Sequence, residues 1–424
     1  MSQSSDPTRF TRRNYWVFVA EGGLFGAGLS FVALDTVLPT IAHSLQGSDS
    51  IIAFLPMAMM LGFYVPPLFT AHWLERLGRL MPTLRFYSLL QRLPYAVAAL
   101  ALWFMAGDSP GLALAAVAAA PLISGVFGGI TVAAWFRLTS RMVPGKRRSS
   151  ATAWRNMIAA IAGIGAGLIV EKVFSHLPGA PGFALLHALA FGGLMLSYVV
   201  FCMSDEPDVP PPPREDHKSL VQQLRSLPAA LRDDPGFRYY ALSRAFGSLV
   251  YVTIPFMAIH AANVTGAGPS LAGKLLAWQM GGVIVGNSLG AWLGDRHGSR
   301  AVLVATQAAS LLMLAVFAMS SSPSGHGLAF ALWGIGTSMQ MIGEGTFLTE
   351  HASGPRMPTY ISLSFLAALS GMLAAGGTSA LLRHLSETIG PLVSVSCGGV
   401  ALALVLLIAK TPEPRHSANH SSLT

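Results

Sequence analysis

Five ionisable residues of this sequence lie inside long apolar stretches, where a charge is costly. They are Glu21, Asp35, Arg244, His260 and Glu344. Such groups are kept in apolar surroundings for ion pairing, proton transfer or ligand binding, although Glu21 and Arg244 could also be structural partners and His260 a capped histidine. A carboxyl group in an apolar cavity holds a proton more readily than one in water. Asp35 and Glu344 are therefore the candidate proton carriers.

A second set of charged residues recurs at two places between apolar stretches. The sequence reads AHWLERLGR at 71–79 and GAWLGDRHGSR at 290–300. Glycine permits a tight turn between two helices, and an acidic side chain can reach a helix amino terminus or an arginine. The pattern predicts two loops that hold neighbouring helix ends, unless short loops simply collect arginine and glycine. The residues concerned are Glu75, Arg76, Gly78, Arg79, Asp295, Arg296, Gly298 and Arg300.

The apolar stretches themselves define the class of the chain. Of its 424 residues, 52% are hydrophobic and 11% are charged. Stretches of about 20 apolar residues recur along the chain, and each is long enough to cross a bilayer as a helix. A soluble chain could not cover so much apolar surface. We therefore expect an all-α, multi-pass membrane protein.

Twelve spans are predicted, six on each side of a charged, proline-rich segment. They lie near residues 14–42, 51–73, 83–106, 111–137, 152–174, 182–203, 237–262, 271–293, 301–320, 327–349, 358–382 and 390–409. The segment 204–236 separates an amino-terminal unit, 1–203, from a carboxyl-terminal unit, 237–424. It either lies on the membrane surface through one leucine face or is a mobile tether. The predicted fold is two pseudo-symmetric six-helix bundles joined by this linker.

The basic residues indicate how the chain is oriented. Most of the 27 Lys and Arg residues lie at the termini and in the even-numbered connections, whereas only three lie on the other side: Lys172, Lys274 and Arg383. By the positive-inside rule, both termini and the linker are expected in the cytoplasm. The net charge of +8 then reflects topology rather than nucleic-acid binding. The first stretch is too long for a cleavable signal peptide.

These features resemble the major facilitator superfamily, and the resemblance in topology covers nearly the whole chain. The signature of that family in the two corresponding loops runs roughly G-x-L-A-D-R-x-G-R-R. The first copy here is the weaker one, with Glu75 in place of the aspartate. The second copy matches at Leu293, Asp295, Arg296, Gly298 and Arg300. The resemblance implies that spans 1, 4, 7 and 10 line a central cavity, and that the two loops are latches that release during the transport cycle.

Depth along the spans divides the ionisable residues into two layers. At about 1.5 Å per residue, Glu21, Arg244 and Glu344 each lie roughly 10 Å from the cytoplasmic ends of their helices. This depth predicts one ion-paired cytoplasmic gate. Residues nearer the other side predict an outer gate or cavity layer, formed by Asp35, His260 and Lys274. Tyr251 and Gln340 are further cavity candidates, although both could equally be packing residues.

The stretch around Asp35 is also similar in part to the first-helix motif of drug/proton antiporters. The sequence is ALDTVLPTIA, and the motif runs approximately L-D-x-T-V-V-N-V-A-L-P. The spacing between Asp35 and Pro39 is shorter than in the motif, and span 4 has no intramembrane arginine. The predicted cavity walls are mostly apolar, with Arg244 as the one cavity arginine, and this favours an amphipathic solute over a polyanion.

The sequence therefore predicts a monomeric secondary transporter of a bacterial inner membrane. It would export a small amphipathic solute in exchange for protons or another coupling ion. Uptake or facilitated diffusion of a metabolite or metal chelate is the alternative within this class, and a transporter-like receptor or assembly protein without flux is the alternative outside it. Neither a phosphate-cradling loop nor an HExxH motif is present, so we expect no ATP-driven transport, enzyme activity, cofactor, metal or nucleic-acid partner.

Overall fold

The computed structural model describes residues 7–67, 69–70, 77–206, 231–351 and 357–410, and all the regular structure in these ranges is helical. The linker residues 207–230 lie outside them. The α-helices in chain order are α1 (Pro7–Ser30), α2 (Val37–Ser44), α3 (Asp49–Tyr64), α4 (Met81–Met105), α5 (Pro110–Met142), α6 (Gly145–His176), α7 (Ala180–Cys202), α8 (Pro235–Gly247), α9 (Ile254–Thr265), α10 (Leu271–Met319), α11 (Pro323–His351), α12 (Met357–Leu385) and α13 (Gly390–Lys410).

The first helix of each half is broken, where the sequence predicted one continuous span. In the first half, α1 ends at Ser30 and α2 begins at Val37, which leaves residues 31–36 outside any helix. In the second half, α8 ends at Gly247, and a short 3-10 turn at Ser248–Val252 leads into α9. The two halves therefore share an interrupted first helix, which is the kind of element that supplies binding sites in membrane transporters.

Prolines contribute to both breaks. Pro39 and Pro255 have no backbone N–H, and the ring of each would collide with the carbonyl group four residues earlier in a continuous helix. Those carbonyl groups belong to Asp35 and Tyr251, which lie within the two breaks. A proline alone does not end a helix in this protein, because three others lie inside helices that continue: Pro56, Pro94 and Pro121.

The carbonyl groups freed in the second break find serine donors on neighbouring helices. The hydroxyl of Ser379 donates to the carbonyl of Val252 at 2.7 Å, and that of Ser396 donates to the carbonyl of Leu249 at 3.0 Å. Ser396 also lies 2.8 Å from the hydroxyl of Thr253. Within a bilayer, an interrupted helix is stable only when such partners satisfy its backbone.

One helix, α10, contains two predicted spans in a single run of 49 residues. The chain turns sharply within it at Gly298, which has a φ of 77° and a ψ of 175°. This backbone conformation is strained for any residue that carries a side chain. Glycine adopts this conformation without penalty because it has no Cβ atom. The turn therefore needs glycine at this position.

The helices form an amino-terminal bundle (α1–α7) and a carboxyl-terminal bundle (α8–α13). In the first, α1 packs against α6 and α7, and α4 packs against α5 and α7; in the second, α10 packs against α11, and α8 against α13 and α12. Small residues allow close approach within each bundle. A Cβ atom on Gly125 would lie 2.1 Å from the carbonyl oxygen of Met59, and one on Gly282 would lie 1.9 Å from that of Ala331.

The two bundles contact each other mainly through α6 with α10 and α3 with α12. We call the side on which α1 begins and α13 ends the terminal side, and the opposite side the far side. The bundles approach closely toward the far side, where a Cβ atom on Gly273 would lie 2.4 Å from the carbonyl oxygen of Gly167. The backbones of α6 and α10 are therefore in direct contact there.

The lateral surface is strongly apolar. Trp103, Phe104 and Phe136 are 64%, 70% and 62% exposed, and an exposed apolar surface of this extent suits contact with lipid. Eight of the described helical stretches are long and apolar enough to cross a membrane, and α3 is apolar but shorter. The expected all-α membrane protein is confirmed, while the number of twelve spans stays a prediction.

Candidate functional site

Asp35 lies in the break between α1 and α2 and connects the two bundles. Its Oδ2 atom accepts a hydrogen bond from the indole Nε1 of Trp333 at 2.8 Å and another from Nε2 of Gln279 at 3.1 Å. Trp333 lies on α11 and Gln279 on α10, so both donors come from the carboxyl-terminal bundle. Asp35 thus makes a polar contact across the interface between the bundles.

Only neutral groups surround the Asp35 carboxylate among the described contacts. The ring of Tyr251, in the break of the second half, packs edge-on against the indole of Trp333 with centroids 5.7 Å apart. The amide oxygen of Gln279, Oε1, is buried and has no hydrogen-bond partner in the described part of the chain. No lysine or arginine among the described residues forms an ion pair with Asp35. The carboxylate is therefore held by an indole and an amide.

Arg244 and Glu344 form a second polar group, within the carboxyl-terminal bundle. Arg244 on α8 pairs with the carboxylate of Glu344 on α11, and Nε2 of Gln340 donates to the same carboxylate oxygen. The Arg244 and Glu344 side chains are 11% and 18% exposed. Tyr64 of the other bundle interacts with Arg244 and stacks on Phe365 with centroids 4.6 Å apart. The ion pair is therefore buried next to the bundle interface.

Glu21 belongs to a third group, which lies within the amino-terminal bundle. Its Oε2 accepts a hydrogen bond from Nη1 of Arg155 at 2.6 Å, and its Oε1 lies 3.7 Å from Nη2 of Arg92 and accepts a bond from Ser197 at 3.3 Å. The sequence placed Glu21 in one layer with Arg244 and Glu344. The described contacts divide this layer between the bundles, because depth along a helix does not specify the direction in which a side chain points.

Arg92 is an interior residue that was counted with the basic residues of a connection, although the span predicted at 83–106 contains it. It lies well inside α4 and is 2% exposed. Its Nε donates to the carbonyl of Leu194 at 2.8 Å, and Nη1 donates to that of Ser88 at 2.6 Å. At the amino terminus of α4, the Glu206 carboxylate accepts the backbone N–H groups of residues 80 and 81.

Two ion pairs connect the bundles on the far side. Nζ of Lys274 on α10 lies 3.2 Å from Oε1 of Glu171 on α6. Nε of Arg383 on α12 lies 3.8 Å from Oδ1 of Asp49 on α3. The sequence named Lys274 as an outer-gate residue but not its partner. The Arg383 pair was missed altogether.

His260 packs among other rings of its own bundle. Its ring packs 5.4 Å from that of Phe317 and 6.2 Å from that of His326, all within the carboxyl-terminal bundle. His326 is fully buried, and neither of its ring nitrogens has a hydrogen-bond partner in the described residues. No group of three or more metal-ligating side chains is found in the described part of the chain.

The two predicted latch loops make contacts within their own bundles. Glu75 and Arg76 lie outside the described residues, and Arg79 is exposed. The carbonyl of Gly78 accepts a hydrogen bond from Nη1 of Arg141 at 3.2 Å, and this arginine also pairs with Glu206 at 2.8 Å. The first loop is thereby tied to the end of α5.

In the second loop, Arg300 binds the end of α13. Its Nε and Nη2 donate to the carbonyls of Leu407 at 3.0 Å and Ile408 at 2.5 Å. Arg296 lies over the ring of Trp292 at 5.3 Å, and Asp295 is exposed. Each loop thus anchors neighbouring helix ends on the terminal side.

Two bundles with interrupted first helices, interior charges and an apolar lateral surface define a multi-pass membrane transporter. The family model of the Major Facilitator Superfamily matches residues 22–257, and the chain belongs to this family of secondary transporters. The expected family and fold are confirmed. Members of this family are transporters and not enzymes.

Solved structures with the same fold cover almost the whole chain. The nucleoside transporter NupG, as a point mutant, is 12% identical, with a TM-score of 0.68 over 94% of this chain and 98% of its own. The E. coli fucose:proton symporter FucP is 13% identical, with a TM-score of 0.62 over 94% and 98%. A bacterial homologue of the iron transporter ferroportin, in an inward-facing state, is 17% identical, with a TM-score of 0.65 over 95% and 99%. No curated protein matches the sequence. At these identities the likeness shows the fold alone.

Proposed function

We propose that this transporter exports a small amphipathic solute in exchange for protons, with Asp35 as the proton carrier. One observation carries the proposal: the Asp35 carboxylate lies in a helix break and is held across the bundle interface by Trp333 and Gln279. A group that takes up protons at this place controls a contact that must break during alternating access. The cytoplasmic orientation of the terminal side and a bacterial inner membrane belong to the same proposal.

The charge of Asp35 provides the coupling. An ionised carboxylate accepts charge-assisted hydrogen bonds, which are about twice as strong as neutral ones. A proton removes the charge and turns one oxygen into a donor, so the contact with the indole N–H of Trp333 weakens. Since proton binding and bundle contact are then linked, each changes the equilibrium of the other by the same free energy.

Glu344 is less suited to this role, because it is paired with a guanidinium. A proton on Glu344 would leave Arg244 without its counter-charge in a buried site, which is strongly unfavourable. We assign the Arg244–Glu344 pair to solute recognition, since a solute near Tyr64 can rearrange the pair without removing a charge. Asp35 and Glu344 then have separate tasks, one for the proton and one for the solute.

The side that is closed supports loading of the solute from the cytoplasm. Three polar contacts join the bundles on the far side: those of Asp35, Lys274 and Arg383. With the terminal side in the cytoplasm, this conformation is closed toward the outside. A solute from the cytoplasm would load this conformation first.

The test measures two processes in proteoliposomes that contain a pH-sensitive dye: proton movement driven by the solute, and exchange of the solute between the two sides. Asp35→Asn should abolish proton movement driven by solute, while solute exchange between the two sides, which needs no net proton transfer, continues. Asp108→Asn, a change at an exposed loop aspartate, should leave both intact. Glu344→Gln should slow solute exchange but leave the ratio of protons to solute unchanged. The panel of solutes contains amphipathic cations and organic acids.

Three results would contradict the proposal. Proton movement that persists in Asp35→Asn would show that Asp35 is not the proton carrier. A loss confined to Glu344→Gln would transfer the role to Glu344. Solute exchange without proton movement in the unmodified protein would identify facilitated diffusion instead of coupled export.

A further inference from the structure

The amino-terminal bundle contains a cavity of about 210 Å³ that the proposed proton and solute groups do not use. Three ionisable residues line it: Glu21 on α1, Arg92 on α4 and Arg155 on α6. The rest of its wall is mainly apolar and includes the rings of Phe25, Phe63 and Trp135, while its polar groups include the amide of Gln91. A small apolar pocket with a few convergent charges is the usual form of a ligand site.

The charges on this wall do not cancel. Two guanidinium groups face one carboxylate, so the described lining has an excess of one positive charge. Arg155 contacts Glu21 at 2.6 Å, whereas Arg92 is 3.7 Å from it and gives its other hydrogen bonds to neutral oxygens of Leu194, Ser88 and Ser197. A buried charge of this kind is costly without a counter-ion. The cavity therefore favours an anion.

The aromatic rings indicate what accompanies the anionic group. The guanidinium of Arg92 lies 5.4 Å from the centre of the Phe25 ring, and that of Arg155 lies 5.2 Å from the centre of Trp135. An anion that bridges the two arginines would have its remaining atoms against these rings. The volume admits a single-ring acid.

We infer that this cavity binds a small organic anion, with one carboxylate and an apolar body. The carboxylate lies between Arg92 and Arg155 and competes with Glu21 for them. This site is separate from Arg244 and Glu344, so the inference does not depend on the proposed transport function.

The experiment measures binding of radiolabelled benzoate to the purified full-length protein in detergent. Unlabelled benzoate should displace the label, whereas benzylamine and benzyl alcohol, which carry the same ring, should not. Arg155→Gln should weaken benzoate binding about tenfold or more, since a hydrogen bond to a charged group is lost. Glu21→Gln should strengthen it, because the competing carboxylate is neutralised. Arg238→Gln, at an exposed arginine of the other bundle, should change nothing.

The Glu21 variant separates binding from folding. A merely structural role of the cluster would weaken binding in both variants, whereas a site for an anion predicts opposite effects. Equal displacement by benzylamine, no benzoate binding at millimolar concentration, or a loss in both variants would overturn the inference.

Discussion

At the scale of the residue, the Asp35 carboxylate depends on an indole for its contact with the other bundle. Trp333→Phe removes the Nε1 donor and keeps a ring against Tyr251. Loss of one hydrogen bond to a charged group costs about 1.5–3 kcal/mol, so the ratio of open to closed molecules on the far side should rise about ten- to a hundredfold. Electron–electron double resonance between labels at Asp108→Cys and Ser321→Cys, in a variant whose native Cys202 and Cys397 are replaced by serine, measures this population.

The control for this change is Trp278→Phe. Trp278 lies on α10 and is 46% exposed on the lateral surface. Its indole has no hydrogen bond among the described contacts. An equal shift in both variants would mean that the loss of an indole, rather than of the bond to Asp35, opens the far side. An unchanged distance between the two labels in Trp333→Phe would show that this bond does not help to close the far side.

Apart from Tyr251 and Gln340, the sequence predicts only the charged members of these sites, for a physical reason. Glu344 and Arg244 were recognisable because a charge in an apolar stretch is costly and needs an explanation. Gln279 and Trp333 carry no charge, so nothing in their surroundings distinguishes them from packing residues. Arg92 was missed because it was counted with the basic residues of the preceding connection, although the span predicted at 83–106 contains it.

At the scale of the element, the second broken helix relies on Ser396 of α13. Its hydroxyl satisfies carbonyls that the break leaves free. Ser396→Ala should destabilise the fold by about 1–2 kcal/mol, since a buried polar group loses its partner. We expect the unfolding temperature in detergent to fall by a few degrees. Ser394→Ala, on the same helix but exposed and bonded within it, should have almost no effect, and equal stability of the two variants would contradict this role.

The elements themselves were predictable where apolarity marks the whole helix. The span predicted at 182–203 corresponds to α7 (Ala180–Cys202), and that at 390–409 corresponds to α13 (Gly390–Lys410). The spans predicted for α5 and α6 were shorter than the helices themselves, because these helices continue past the apolar stretch into polar residues. The breaks were not predicted, since the serines that stabilise the second one are distant in sequence.

At the scale of the whole molecule, closure of the far side depends on helix packing more than on ion pairs. The Lys274 side chain is 57% exposed, and a pair so accessible to solvent contributes little. The contact of α6 with α10 is different, because it brings backbone atoms together at Gly167 and Gly273. We therefore expect small residues at this contact to control the equilibrium between the closed and open states.

Gly273→Ala tests this expectation. The new Cβ atom would lie 2.3 Å from the backbone nitrogen of Glu171 and 2.4 Å from the carbonyl oxygen of Gly167, and backbone atoms in two helices cannot move aside as a flexible side chain can. The helices must separate, so the distance between labels at Asp108→Cys and Ser321→Cys should shift to the open population. Gly281→Ala on the same helix, where a Cβ atom meets nothing within 4 Å, should leave the distance unchanged. Because both variants gain the same methyl group, a shift in both, or in neither, would show that this contact does not hold the bundles together.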